Sequence, residues 1–146
     1  MVVMSPQEAL VGALCEKIGL APSPHIRCIG SISEDGKILK GVVGFDGYNG
    51  ASVMMHVYGE GNWISRDLLK IAFDYPFNHL NCNMVLGLVP SGNTQALKMN
   101  RHLGFKVETV LEGAHPDGAL ILMVMRREEC RWLKMKHRNA AEKALH

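Results

Sequence analysis

The chain has 146 residues, 47% of them apolar and 21% charged, the proportions of a soluble globular protein with room for one core. Its formal net charge of +2 is too small to make nucleic acid an expected partner. Its longest apolar run, Ala119 to Met125, is too short to cross a bilayer. Cys15, Cys28, Cys82 and Cys130 are scattered without paired spacing, so neither a zinc site nor a disulfide framework is expected. No metal is expected elsewhere, because His79 and Cys82 lack further ligands nearby in sequence. Residues 1–10 show no basic stretch leading into a long apolar one, so no signal peptide is expected and the cytoplasm is the expected location. Charge is unevenly placed: from Arg126 onward seven Lys/Arg face three Glu, leaving the rest of the chain slightly acidic.

In chain order, Ser5-Pro6-Gln7-Glu8 predicts a capped helix start, with Glu8 completing a capping box. Leu10, Val11, Leu14 and Ile18 recur at helical spacing until Gly19 stops the helix. Ile26–Ile32 and Leu39–Phe45 predict an antiparallel pair around Glu34-Asp35-Gly36. A turn follows at residues 46–50, and Ser52–Tyr58 predicts a third strand running into Gly59-Glu60-Gly61-Asn62. Ile64, Leu68, Leu69, Ala72 and Tyr75 predict a helix ending at Pro76. Met84–Val89 is apolar at nearly every position, which predicts a strand covered on both faces. Strand, helix and strand of these lengths form a βαβ crossover, so the two strands should be parallel.

Asn93 opens a short helix carrying Ala96, Met99 and Leu103, closed by Gly104-Phe105. Lys106–Leu111 and Ala119–Met125 predict a hairpin around residues 112–118. The residues after Met125 form a basic tail in which Trp132 and Leu133 are expected to pack on the domain or on a second subunit. The division expected is one domain over 1–146: a helix at about 6–19, a core at about 26–125 and a tail at about 126–146. Its class is α/β (α+β), a mixed and mostly antiparallel sheet with a central parallel βαβ pair flanked by helices.

Ligands of such sheets gather at the carboxyl ends of parallel strands. Here those ends are Tyr58–Trp63 and Val89–Asn93. The first joins two glycines to a helix N-terminus, a combination that suits a phosphate and equally suits a plain tight turn. It is not a dinucleotide fingerprint, since Ile64 stands where the third glycine belongs, and it lacks the Gly-Lys-Ser/Thr of a P-loop. His56 is either a base, titrating near neutrality, or a hydrogen-bonding strand residue. Glu112, His115 and Asp117 fit an acceptor-binding role or ordinary turn chemistry. Tyr48 fits a cover over an acceptor pocket or plain surface. Trp63 fits a cofactor stack or a packing anchor. Met54, Met55, Met123 and Met125 read as core.

Two stretches carry a resemblance. His56-Val57-Tyr58-Gly59-Glu60-Gly61 is similar to the Gln/Arg-x-x-Gly-x-Gly/Ala pyrophosphate loop of the GNAT family of N-acetyltransferases. Asn93-Thr94-Gln95-Ala96-Leu97-Lys98-Met99-Asn100-Arg101-His102-Leu103-Gly104-Phe105 resembles that family's Asn-x-x-Ala/Ser helix ending in Leu-Gly-Phe. The order of elements from about Ile26 to Met125 agrees, and the likeness extends to the small GNAT proteins of phage and prophage genomes.

The resemblance implies the acyl-CoA N-acyltransferase fold, acetyl-CoA as cofactor, and acetyl transfer to an amine of a small molecule or protein. It implies that backbone groups of Met55, His56 and Val57 pair with the pantetheine arm. The N–H groups of Gly59, Glu60, Gly61, Asn62 and Trp63, after Tyr58, would hold the pyrophosphate. Asn93 would meet the pantetheine or acetyl region, and Lys98 or Arg101 the adenosine phosphates or solvent. The family's usual general-acid tyrosine falls on Asn100, which cannot donate a proton as an acid. That departure also fits a non-catalytic interaction protein acting on a host or cellular partner. A homodimer is compatible with either reading.

Overall fold

The computed structural model describes residues 1–133. A short strand β1 (Val2–Val3) precedes helix α1 (Gln7–Ile18), then come β2 (Arg27–Ile32), β3 (Leu39–Asp46) and β4 (Ser52–Gly59). Helix α2 (Arg66–Asp74), β5 (Met84–Pro90), α3 (Thr94–Leu103), β6 (Lys106–His115) and β7 (Gly118–Arg126) follow. The seven strands form one sheet in the order β1-β2-β3-β4-β5-β7-β6. All neighbours are antiparallel except β4 and β5, so the predicted βαβ crossover is the centre of the sheet.

Local chemistry departs from expectation at the start of α1. The N-cap residue is Pro6 and no side chain caps the helix, so the capping box does not form. Gln7 does different work: its Nε2 donates to the Cys28 carbonyl at 2.8 Å and its Oε1 accepts the Cys28 N–H at 2.8 Å. This amide imitates a strand partner and docks α1 on β2. At the far end Gly19 has φ 72 and its N–H bonds the Cys15 carbonyl, the left-handed cap that glycine adopts without a Cβ penalty.

Ser65 caps α2 through the Leu68 N–H at 3.1 Å. The helical path does not end at Pro76 as expected. It widens into a π turn over Tyr75–His79, closed by the Leu80 N–H on the Tyr75 carbonyl at 3.0 Å. A wider turn relieves the clash between the proline ring and the carbonyl one α-turn back. The Arg127 guanidinium then donates to the Phe77 and Cys82 carbonyls around this turn.

Two apolar clusters hold the sheet. One gathers Phe73, Phe77, Val85, Met123 and Met125 beneath α2 and α3. The other gathers Leu10, Leu14, Ile26, Cys28 and Val42 beneath α1. Trp132 joins the first, its indole N–H bonding the Leu103 carbonyl at 3.0 Å, so the tail begins packed on the domain. Its basic residues Lys134, Lys136, Arg138 and Lys143 lie outside the described residues.

The expectation that β5 is covered on both faces is corrected. Val85, Gly87 and Val89 are buried, yet Leu88 is 38% exposed. The reason is that α1 packs chiefly over β2, β3 and β4. The final hairpin is also tighter than expected. Its strands continue to His115 and Gly118, with irregular register after Val107 and Leu111 absorbing the extra residues. All four cysteines are free and buried, and burial pushes the Cys28 thiol up to about 11. Among the described residues no helix is long and apolar enough to cross a membrane.

Candidate functional site

The parallel pair β4–β5 is bonded only from Ser52–Met54 against Met84–Leu86. Beyond those residues the strands part, while β4 stays paired to β3 through Gly59 and β5 stays paired to β7 through Pro90. The Glu60 N–H bonds the Lys40 carbonyl at 2.9 Å, which fixes the alternation of this antiparallel ladder. His56 and Tyr58 turn their backbone groups to β3. Val57 and Gly59 turn theirs to the side β5 has left.

A cleft of about 560 Å³ occupies the parting. Its walls include Met55, His56, Val57 and Tyr58 of β4, Gly87–Pro90 of β5, and Asn93, Ala96 and Asn100 of the following turn and helix. Residues 17–20 at the end of α1 close one side, and His115 and Leu120 of the hairpin close another. Sequence reasoning placed the β4 residues, Asn93 and Asn100 here. It missed the end of α1, since nothing in residues 17–20 signals a site, and it missed Leu88, whose apolar run reads as core.

Asn93 spends its side-chain oxygen on the Ala96 N–H at 3.1 Å, capping α3. Asn100 lies across from Gly87, where even an added Cβ would stand 3.8 Å from its amide nitrogen. That nitrogen's partner is the Met123 sulfur at 3.8 Å, a weak acceptor.

The His56 side chain is 20% exposed, and its Nε2 is the buried side-chain polar atom left without a hydrogen bond among the described residues. Asp46 Oδ2 stands 3.9 Å away. Burial holds the imidazole below its ordinary value, with the Asp46 carboxylate pulling the other way. Beside it, Lys17 Nζ sits 5.4 Å over the Tyr58 ring. The Tyr58 hydroxyl donates to Glu60, a bond that raises its pKa. His115 Nδ1 accepts the Asp117 N–H at 3.1 Å, which leaves the neutral ring's proton on Nε2.

The glycine turn sits differently from the rest. Gly59, Glu60, Gly61, Asn62 and Trp63 lie outside the cleft lining, and the Glu60 N–H is committed to the sheet. A Cβ on Gly59 would fall 2.2 Å from the Trp63 ring, and one on Gly41 would fall 2.4 Å from it. These two glycines clear space for a buried indole, so Trp63 is a packing anchor. Gly61 has φ 60 with open space around it, the turn position that favours glycine.

Tyr48 is not at the cleft. Its hydroxyl donates to the Leu80 carbonyl at 3.0 Å at the opposite end of the strands. Lys98 and Arg101 are exposed on α3, and Glu112 and Asp117 are exposed on the hairpin, all four outside the cleft lining. No group of three potential metal ligands occurs among the described residues.

A central parallel pair that parts halfway, within a mostly antiparallel sheet, defines the class: the chain has the GNAT acyl-CoA N-acyltransferase fold. Particular solved structures agree. A spermidine N-acetyltransferase variant from Vibrio cholerae superposes with a TM-score of 0.72 at 16% identity, covering 93% of this chain and 99% of that one. The Vibrio cholerae enzyme solved with CoA and spermine gives 0.69 at 16% identity over 88% and 96%. A GNAT-family acetyltransferase from Bacillus anthracis gives 0.60 at 14% identity over 70% and 67%. No protein-family model matches the chain, and no curated protein matches it in sequence.

Proposed function

We propose that the chain is an acetyl-CoA-dependent N-acetyltransferase that moves the acetyl group from the thioester to an amine. The observation that carries this reading is the parting of β4 from β5, which leaves Val57 backbone groups facing a cleft of about 560 Å³. A pantetheine arm has the amides to pair there as an added strand along Met55 and Val57, with Asn93 at its side; the backbone of His56, expected from the sequence to join them, is spent on Gly44 of β3. The pyrophosphate is assigned to the turn after Tyr58. There the free amides lie among Gly61, Asn62 and Trp63 and at the start of α2, since Glu60 has already spent its own. A structural neighbour solved with CoA supports the same ligand.

Chemically, a neutral amine attacks the thioester carbon, and a donor must meet the charge that builds on the carbonyl oxygen. The Val57 N–H is that donor in this reading. Asn100 contributes a hydrogen bond near the sulfur but no proton, so the leaving thiolate is protonated by solvent.

The cleft also bears on the acceptor. Its titratable side chains are Lys17, His56, Tyr58 and His115, and no carboxylate lines it among the described residues. A polycation would find no carboxylate in this lining among the described residues, so we assign a neutral or anionic primary amine in place of a polyamine. Thiol release from acetyl-CoA, followed with amines of three charge classes, tests this. Turnover with a neutral or carboxylate-bearing amine, and little with spermidine, is expected. Release with spermidine alone would overturn the acceptor assignment. Release with none of them, together with no binding of acetyl-CoA, would favour the interaction protein.

A further inference from the structure

His56 and Asp46 come from different strands and ten positions apart, and the register brings them together. His56 lies opposite Gly44, and Asp46 opposite Met54, the next pair but one along the ladder. Both therefore project from the same face of the sheet, at diagonal positions within reach of long side chains. Gly44 has no side chain to come between them, and Leu14 of α1 closes over that gap, a Cβ there falling 2.2 Å from its Cδ2.

Asp46 is itself held. Its Oδ1 accepts the Gly47 N–H at 2.8 Å, which leaves Oδ2 for the imidazole 3.9 Å away. The two nitrogens of His56 are unequal. Nε2 is wholly buried on the Asp46 side and has no other partner. Nδ1 is not among the wholly buried atoms without a partner, and the residue lines the cleft.

We propose that Asp46 and His56 form a dyad in which Asp46 positions His56, through its Nε2–H, as the base that takes the acceptor amine's proton at Nδ1. This rests on the acetyl-transfer reading. As the amine nitrogen attacks, the C–N bond forms and the C–S bond breaks. The nitrogen's proton passes to Nδ1, solvent protonates the thiolate, and the imidazolium later returns its proton to solvent. Closing the 3.9 Å gap by roughly 1 Å makes the Asp46 contact a charge-assisted hydrogen bond as the ring becomes cationic. The other titratable groups that share the cleft with His56 are Lys17 of α1, Tyr58 of β4 and His115 of β6. Asp46 is the carboxylate that acts on the ring.

The test has two arms on the full chain. In the first, long-range 1H–15N correlation spectra of the histidine rings are recorded against pH, with His56→Gln supplying the assignment. The expected result is an Nε2–H tautomer for His56 and a pKa that falls by about one unit or more in Asp46→Asn, partly restored in Asp46→Glu. An Nδ1–H tautomer, or a pKa that Asp46→Asn leaves in place, overturns the dyad. In the second arm, thiol release from acetyl-CoA is measured with the amine panel across the neutral range. Asp46→Asn is expected to lower plateau kcat about tenfold with KM for acetyl-CoA unchanged, and to move the acidic limb by the shift seen in the spectra. A limb that stays put, or a change in KM alone, makes Asp46 merely structural and overturns its positioning role. Inactivity of the unsubstituted protein toward every amine overturns the acetyl-transfer reading and the base role with it, while the spectra still decide the Asp46–His56 pairing.

Discussion

At the scale of single residues, His56 and Gly59 make opposite demands on the same strand. His56 is half-buried with its pKa held down by that burial, so the unfolded chain binds a proton more readily than the folded one. Its contribution to stability is therefore full above the unfolded value of about 6.5 and is lost as pH falls from there toward the folded value. The midpoint of thermal unfolding should drop through that window in the unsubstituted protein, and His56→Gln should flatten this part of the profile. Gly59→Val should unfold the turn, because its side chain would need the space of the Trp63 indole. Overpacking of this kind costs roughly 1–3 kcal/mol, readable as a lower denaturant midpoint without any ligand. The sequence makes Gly59 look like a phosphate residue. Only the register of β3 with β4 reveals the second glycine, Gly41, that shares the indole with it. Asp46 was illegible for the same reason: nothing local ties it to His56.

At the scale of elements, the strands and helices were mostly written in periodicity and glycine caps, and the exceptions have identifiable causes. The β5 run from Met84 to Val89 is apolar throughout, yet Leu88 is a cleft wall, because coverage depends on how far α1 reaches. The capping box at Ser5–Glu8 was overridden by a tertiary contact, the pairing of Gln7 with the Cys28 backbone. Gln7→Ala would leave that N–H and carbonyl without partners, at a cost of about 1–3 kcal/mol. The midpoint of chemical unfolding should fall accordingly, with the cleft ligand still bound. The opposite outcome is expected for Val57→Pro. It deletes an N–H that faces the cleft and not β3, so the fold should persist while acetyl-CoA binds about tenfold more weakly, as one lost hydrogen bond implies. Calorimetric titration of the two variants separates them.

For the whole molecule, sheet order and the parting of β4 from β5 form one design. Strand β4 keeps its ladder to β3 and β5 keeps its ladder to β7, so the sheet can open at its centre without leaving either strand unpaired on its outer side. The βαβ crossover and the Asn93–Phe105 helix made this much legible from sequence. The depth of the opening, and the part taken by α1 and the hairpin in closing it, depend on long-range packing that no local pattern records. The central claim is that this opening binds acetyl-CoA. It is tested most directly by thermal unfolding of the full chain in rising acetyl-CoA, with NADP as a phosphate-bearing control. A ligand at one hundred times its Kd adds roughly 2.7 kcal/mol, which should raise Tm by several degrees. The account predicts that rise with acetyl-CoA, its reduction in Val57→Pro, and no comparable rise with NADP; an unchanged Tm at millimolar acetyl-CoA would contradict it.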